Sequence, residues 1–215
     1  MKRRLISFTL VLMLILTMVA GSTVALAETT TGATVTNGWD IEKTHYYENG
    51  QMVKGFKTIG GYKYYFGADG AAYKAPEEEC EYVKCCMVKS INGVYYGFDG
   101  NGRVVTGLWA DINGKGWIFK NDGAQNVTKT KKLRKMLKSK KASKKLLKNV
   151  KKLLGKPKKT KIGKNSCNKF GTRREKRRDK FWDYTLRYKN VDIELVKNKR
   201  TGKYRMNGIF GKDIY

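Results

Sequence analysis

Tyr64-Tyr65-Phe66-Gly67-Ala68-Asp69-Gly70 is one of four similar stretches, and their recurrence decides the fold. Tyr46-Tyr47-Glu48-Asn49-Gly50 precedes it. Tyr95-Tyr96-Gly97-Phe98-Asp99-Gly100-Asn101-Gly102 and Trp117-Ile118-Phe119-Lys120-Asn121-Asp122-Gly123 follow. The closing glycines, Gly50, Gly70, Gly102 and Gly123, are spaced by 20, 32 and 21 residues. The long interval holds an insertion, Pro76 to Lys89, with an acidic run and three cysteines. Aromatic residues suit a short strand, and Asn-Gly or Asp-Gly predicts a tight hairpin turn whose central residues need φ above zero. Each unit is therefore expected to be a β-hairpin that cannot bury its aromatic face alone, so that neighbours stack into a β-solenoid with an aromatic spine. Lys54-Gly55-Phe56 and Thr106-Gly107-Leu108-Trp109 mark the passage from one hairpin to the next.

Charge divides the chain differently from the repeats. Residues 28–127 carry 10 basic and 12 acidic side chains, whereas residues 128–215 carry 33 basic and 6 acidic ones. Such a step predicts two folding units with different electrostatic roles. Upstream of both, Lys2, Arg3 and Arg4 precede an apolar run from Leu5 to Ala20, and small residues at Ala25 and Ala27 offer a cleavage site before Glu28. Residues 1–27 thus read as a secretory signal peptide, 28–127 as the repeat region and 128–215 as a basic domain. No transmembrane segment is expected after signal cleavage.

The repeat pattern over residues 37–125 resembles the choline-binding, or cell-wall-binding, repeat family of exported Gram-positive proteins. The resemblance implies non-covalent attachment to the wall, with rings from successive hairpins caging choline by cation–π attraction. Carried onto this sequence, it points to Tyr46, Tyr47, Phe56, Tyr64, Tyr65, Tyr95, Tyr96, Trp109 and Trp117 as wall-polymer-binding residues. Two family tryptophan positions are replaced here. The one after the inter-hairpin glycine is Phe56 or Leu108, and the one opening the aromatic trio is Lys63, Tyr95 or Gly116. A lysine repels a quaternary ammonium, so a cell-wall glycan or teichoic acid is at least as good a ligand as choline. The plainer reading of each ring is packing within the solenoid.

The basic unit opens helically. Lys131 to Leu137 is followed by Leu146, Leu147, Val150, Leu153 and Leu154, one apolar face of an amphipathic helix with lysines around the rest. Ser143 is a candidate N-cap, while Gly155 and Pro157 supply the stop. After a basic loop, the runs Phe181 to Tyr188, Val191 to Val196 and Lys203 to Ile209 predict a three-stranded antiparallel meander. The fold expected overall is a β-hairpin solenoid of aromatic–glycine repeats followed by a small α+β domain of two helices and that meander. The helix end Leu153-Leu154-Gly155-Lys156-Pro157 and the meander resemble the SmpA/OmlA, β-lactamase-inhibitor-protein-like fold, which implies a small binding module without catalysis.

Nothing in the sequence assembles an enzyme or a cofactor site. The one histidine, His45, sits beside Tyr46 in a repeat, where packing is the simpler role. The metalloprotease helix motif with two histidines is absent. Asp99-Gly100-Asn101-Gly102 lacks the later ligands of a calcium loop. Cys80, Cys85 and Cys86 lack the usual spacing of a zinc site. An exported chain favours disulfides, with Cys80 closing a loop to Cys85 or Cys86, a bond to Cys167 or free thiols as the alternatives. The reading as a whole is a secreted, cell-wall-associated, non-enzymatic protein whose residues 128–215 contact an anionic polymer or a protein partner. The alternative is a secreted cationic effector acting on membranes or extracellular nucleic acid, and the plainest use of the charge is solubility.

Overall fold

The computed structural model describes residues 36–139, 141–163 and 181–214, and these form one compact unit. The signal segment, Cys167 and most of the basic loop before Phe181 lie outside the described residues. Antiparallel strands in small sheets dominate, with two helices. A three-stranded sheet comes first, β1 (Gly38–Trp39), β2 (Tyr46–Glu48) and β3 (Gln51–Met52). Three two-stranded hairpins follow: β4 (Gly55–Ile59) with β5 (Tyr62–Phe66), β6 (Met87–Ile91) with β7 (Val94–Phe98), and β8 (Gly107–Ala110) with β9 (Gly116–Phe119).

The tight turns lie at Asn49-Gly50, Gly60-Gly61 and Asn92-Gly93, where both residues of each pair have positive φ. The sequence expectation had put tight turns at Gly70, Gly102 and Gly123 as well, and there it is corrected. Those glycines close wider turns after the second strand, in which Asp69, Asp99 and Asp122 accept backbone N–H bonds two residues ahead. An Asx turn and a two-residue hairpin turn both select Asx and Gly, so composition does not separate them. Beyond each wide turn the chain returns to pair once with the strand it left, as in Phe66 with Ala72 and Phe98 with Val104. Isolated bridges and ring contacts, rather than a continuous sheet, then join successive hairpins.

Helix α1 (Val127–Lys138) begins at Asn126, whose side chain accepts from the Lys129 amide at 3.0 Å. Helix α2 (Leu146–Leu154) ends at Gly155, with φ of 85°. Ser143 does not cap it. The Ser143 backbone instead exchanges two hydrogen bonds with Tyr204. Four strands, not three, then build the last sheet, in the order β10 (Lys159–Gly163), β11 (Phe181–Arg187), β12 (Val191–Asn198), β13 (Tyr204–Gly211). Strand β10 was read as loop because Lys-Thr-Lys-Ile-Gly has no apolar alternation. All five of its residues are exposed, and it is held by its register with β11 at the sheet edge, where lysines discourage further pairing.

One core crosses position 127. Leu133 and Val150 pack with Leu186, Ile193, Leu195 and Ile209 of the sheet, and with Ala110 and Ile118 of the last hairpin. Leu146, Leu147, Leu153 and Leu154 line its margin. Three polar ties support the junction. Asn126 and Thr130 hold the backbone of Ile118, the Arg134 guanidinium lies 4.0 Å over the Trp117 ring, and the chain after β13 pairs with the insertion through Val83 and Asp213.

Gly116 makes this junction possible. A Cβ there would meet Leu133 Cδ2 at 2.8 Å and Ile209 Cδ1 at 3.2 Å. Its backbone is not in the left-handed region, so the constraint is packing and not φ. Gly116→Ala is expected to destabilise the chain by about 1–3 kcal/mol, the usual cost of overpacking. Gly100→Ala, with open space at its Cβ, should leave the urea midpoint unchanged, and equal midpoints for the two variants would show that the junction is not tightly packed.

Candidate ligand-binding surfaces

Rings from neighbouring strands meet in three separate groups. In the first, Trp39 packs on Tyr46, Tyr64 and Phe66 at centroid distances of 5.4, 5.1 and 5.6 Å. In the second, Phe56 lies 4.8 Å from Tyr65 and 4.9 Å from Tyr96 of the next hairpin. In the third, Tyr95 lies 5.5 Å from Trp117, which stacks on Phe119. Tyr64 and Trp117 are buried, whereas Phe56 and Tyr95 reach solvent. Tyr47 pairs through its backbone with Gly38 and Met52. Trp109 is the cross-strand partner of Trp117 and packs against the buried cluster of Cys86, Val105, Trp117 and Phe119, its indole N–H tied to the Thr106 carbonyl at 2.9 Å.

Trp39 and Phe66 of the first group, and Tyr73 and Phe98, which join the second through Tyr65, are not among the sequence-predicted binding residues. The signal for Trp39 was present, because Gly38-Trp39 has the form of Gly55-Phe56.

The second group carries its own cation. Lys63 Nζ sits 4.3 Å from the Phe56 centroid and 5.6 Å from that of Tyr96, and it donates to the Asp122 carbonyl at 3.2 Å. A protonated amine over a ring face gains about 0.5–2 kcal/mol. The face that would receive an external ammonium is therefore already engaged by an internal one. Arg103 covers Tyr62 at 3.9 Å in the same manner, as Arg134 covers Trp117. Intramolecular cations thus occupy ring faces at Phe56, Tyr62, Tyr96 and Trp117.

A cavity of about 680 Å³ lies beside Trp109, between the insertion and the turns around Glu42 and Gly100. A disulfide between Cys80 and Cys85 closes the insertion, leaving Cys86 as a buried thiol whose pKa burial pushes up, so that it is protonated and unreactive at neutral pH. With two of the three clustered cysteines in a disulfide, they do not form a zinc site. No group of three potential metal ligands occurs among the described residues. His45 bonds Asp40 at 2.9 Å through Nδ1. Burial would raise the Asp40 carboxyl, but hydrogen bonds from His45 and from the Thr44 and His45 amides outweigh it and hold the carboxyl below its ordinary range.

The cationic surface is the helix layer. Residues 127–163 hold 17 Lys and Arg and no acid. The acids Asp183, Asp192 and Glu194 alternate with buried residues on the opposite face of the sheet, where Arg187 meets Asp192 at 3.2 Å.

No family model and no curated protein matches this chain. Among solved structures it is similar to choline binding protein F of Streptococcus pneumoniae, with 23% identity, a TM-score of 0.32, and 41% of this chain and 27% of that one covered. CbpJ of the same organism has 26% identity, a TM-score of 0.32, and coverage of 41% and 28%. The Cpl-1 endolysin, in complex with a peptidoglycan analogue, has 17% identity, a TM-score of 0.32, and coverage of 78% and 34%. This chain spans about a quarter of the length of the two choline-binding proteins.

Asp99 offers a test of the cavity wall. Burial raises its carboxyl above 3.8, against hydrogen bonds from the Arg103 and Asn101 amides that pull it down. A carboxyl with a raised folded pKa weakens the fold above that value, and stability returns as pH falls through it toward 3.8. Asp99→Asn, which keeps an acceptor for both amides, should hold or raise the urea midpoint near neutral pH and flatten its dependence in mildly acidic buffer. Asp99→Ala should lose about 1–3 kcal/mol by stranding those donors.

Proposed function

We propose that this chain is an exported, wall-associated bacterial surface protein that holds cell-wall polymers without a covalent link and performs no catalysis. Its successive hairpins build a β-solenoid whose exposed rings contact glycan. Its helix layer, on residues 128–215, binds the phosphates of an anionic wall polymer such as teichoic acid. The observation that carries this reading is the stretch 127–163, with 17 bases and no acid, whose two helices turn their apolar side into the core. Phosphate-bearing polymers answer that charge directly, and clustered like charges raise the local concentration of a polyanion. The same packing favours polymer over membrane as the target, because Val150 is buried and the helix leucines pack against the sheet, where lipid does not reach them.

Sedimentation of the full chain with purified walls tests it. Binding at low salt should be strong and fall steeply toward about 0.5 M salt as exposed ion pairs are screened. A residual fraction held by ring contacts should remain. Walls stripped of teichoic acid should lose the salt-dependent part. No sedimentation with intact walls at low salt, or an undiminished salt-dependent part on stripped walls, would count against the proposal.

Lys63 bears on choline. Free choline should fail to elute the wild-type chain. Lys63→Ala, by vacating the Phe56 and Tyr96 faces, should gain measurable choline affinity by calorimetry. Equal affinity of both proteins would mean that Lys63 does not control access.

A further inference from the structure

We propose that the cavity beside Trp109 is a binding site for a short oligosaccharide of acetamido sugars, which deepens the preceding reading by giving its glycan a place. Its volume, about 680 Å³, lies within the range of small-molecule sites. The long interval between the second and third repeats supplies one wall of it. The insertion there is held at two points, by the Cys80–Cys85 disulfide and by the pairing of Lys84 and Tyr82 with the chain after β13. A wall fixed in this way is formed before any ligand arrives, which lowers the ordering cost of binding.

The lining has the chemistry for sugar. Trp109, partly buried against the Val105, Trp117 and Phe119 cluster, gives the lining its aromatic surface, and its orientation is set by that packing and by the hydrogen bond to Thr106. Around it stand carboxylates and ammonium groups in nearly equal number, among them Glu42, Lys74, Glu77 and Lys84, together with the amide of Asn101. A simple cation or anion site would show one sign of charge. Mixed donors and acceptors around one aromatic plane suit a ring with an apolar C–H face and a rim of hydroxyl and amide groups, each of which needs a partner when desolvated. Among the described residues no cation lies over the Trp109 ring, whereas Phe56, Tyr62 and Trp117 each have one.

The test uses the full chain and chitotriose, a soluble trimer of N-acetylglucosamine. Wild-type protein should show saturable binding by tryptophan fluorescence and calorimetry. Gly100 lines the cavity with open space at its Cβ and no positive φ, so Gly100→Phe should fill the cavity without disturbing the fold and weaken binding at least about tenfold, the equivalent of 1.4 kcal/mol. Trp109→Ala should weaken binding as well, with its urea midpoint measured alongside because Trp109 also packs on the Val105, Trp117 and Phe119 cluster. Absence of chitotriose binding by the wild type, or binding indifferent to Gly100→Phe, overturns the site. If walls still sediment the chain in that case, only this inference fails. If chitotriose binds at the cavity while walls do not sediment the chain, the site stands and the wall-binding function falls.

Discussion

The close approach of Leu133 to Gly116 organises the rest of the molecule. A hairpin of four residues a side cannot bury its own rings, and two short amphipathic helices cannot cover a four-stranded sheet without a further apolar surface at their edge. The last hairpin meets both needs. One side faces the preceding repeat, where Gly97 leaves room for Val105 and Phe119. The other receives α1. Glycine at 116 occupies the position that opens the aromatic trio in the other repeats, so the repeat pattern stops where the helices begin.

Cation–π contacts follow from the same economy of surface. Repeats rich in Tyr, Phe and Trp leave ring faces at hairpin boundaries, and basic residues of the repeats themselves and of α1 pack on them. Lys63, Arg103 and Arg134 each pack on a ring in this way. The consequence for recognition is selective. Faces engaged by internal cations are poor receptors for a quaternary ammonium, while Trp109, with no cation over its ring among the described residues, lines an open cavity of mixed polarity. Ligand choice in such repeats therefore depends on what the chain itself places over each ring as much as on which rings it has.

The helix layer illustrates how burial assigns a surface its role. Leu146, Val150 and Leu153 recur on one stripe of α2, and that stripe lies on the sheet. Leu147 and Leu154 flank that stripe, and Lys148, Asn149, Lys151 and Lys152 face outward. An unpaired helix with the same pattern would be a membrane-seeking peptide. Docked, it becomes a cationic panel on a folded body, with its leucines no longer available to lipid.

Much of this was legible in the chain before any coordinates. The aromatic–glycine recurrence marked the repeats and their aromatic strands though not where most hairpins turn, the 3.6-residue stripe identified α2, and the alternation in Val191-Asp192-Ile193-Glu194-Leu195 identified a half-buried strand, because local periodicity reports which side of an element is covered. Strand β10 was not legible, since its pairing is through backbone at an exposed edge and leaves no side-chain pattern. The wide Asx turns were confused with hairpin turns because both use the same two residues. Tertiary structure alone decided the rest: that Cys80 pairs with Cys85, that Lys63 lies on Phe56 and Tyr96, and that the insertion encloses a cavity beside Trp109. Those are contacts between elements distant along the chain or set by three-dimensional closure, and residue type at one position carries no record of what another segment brings against it.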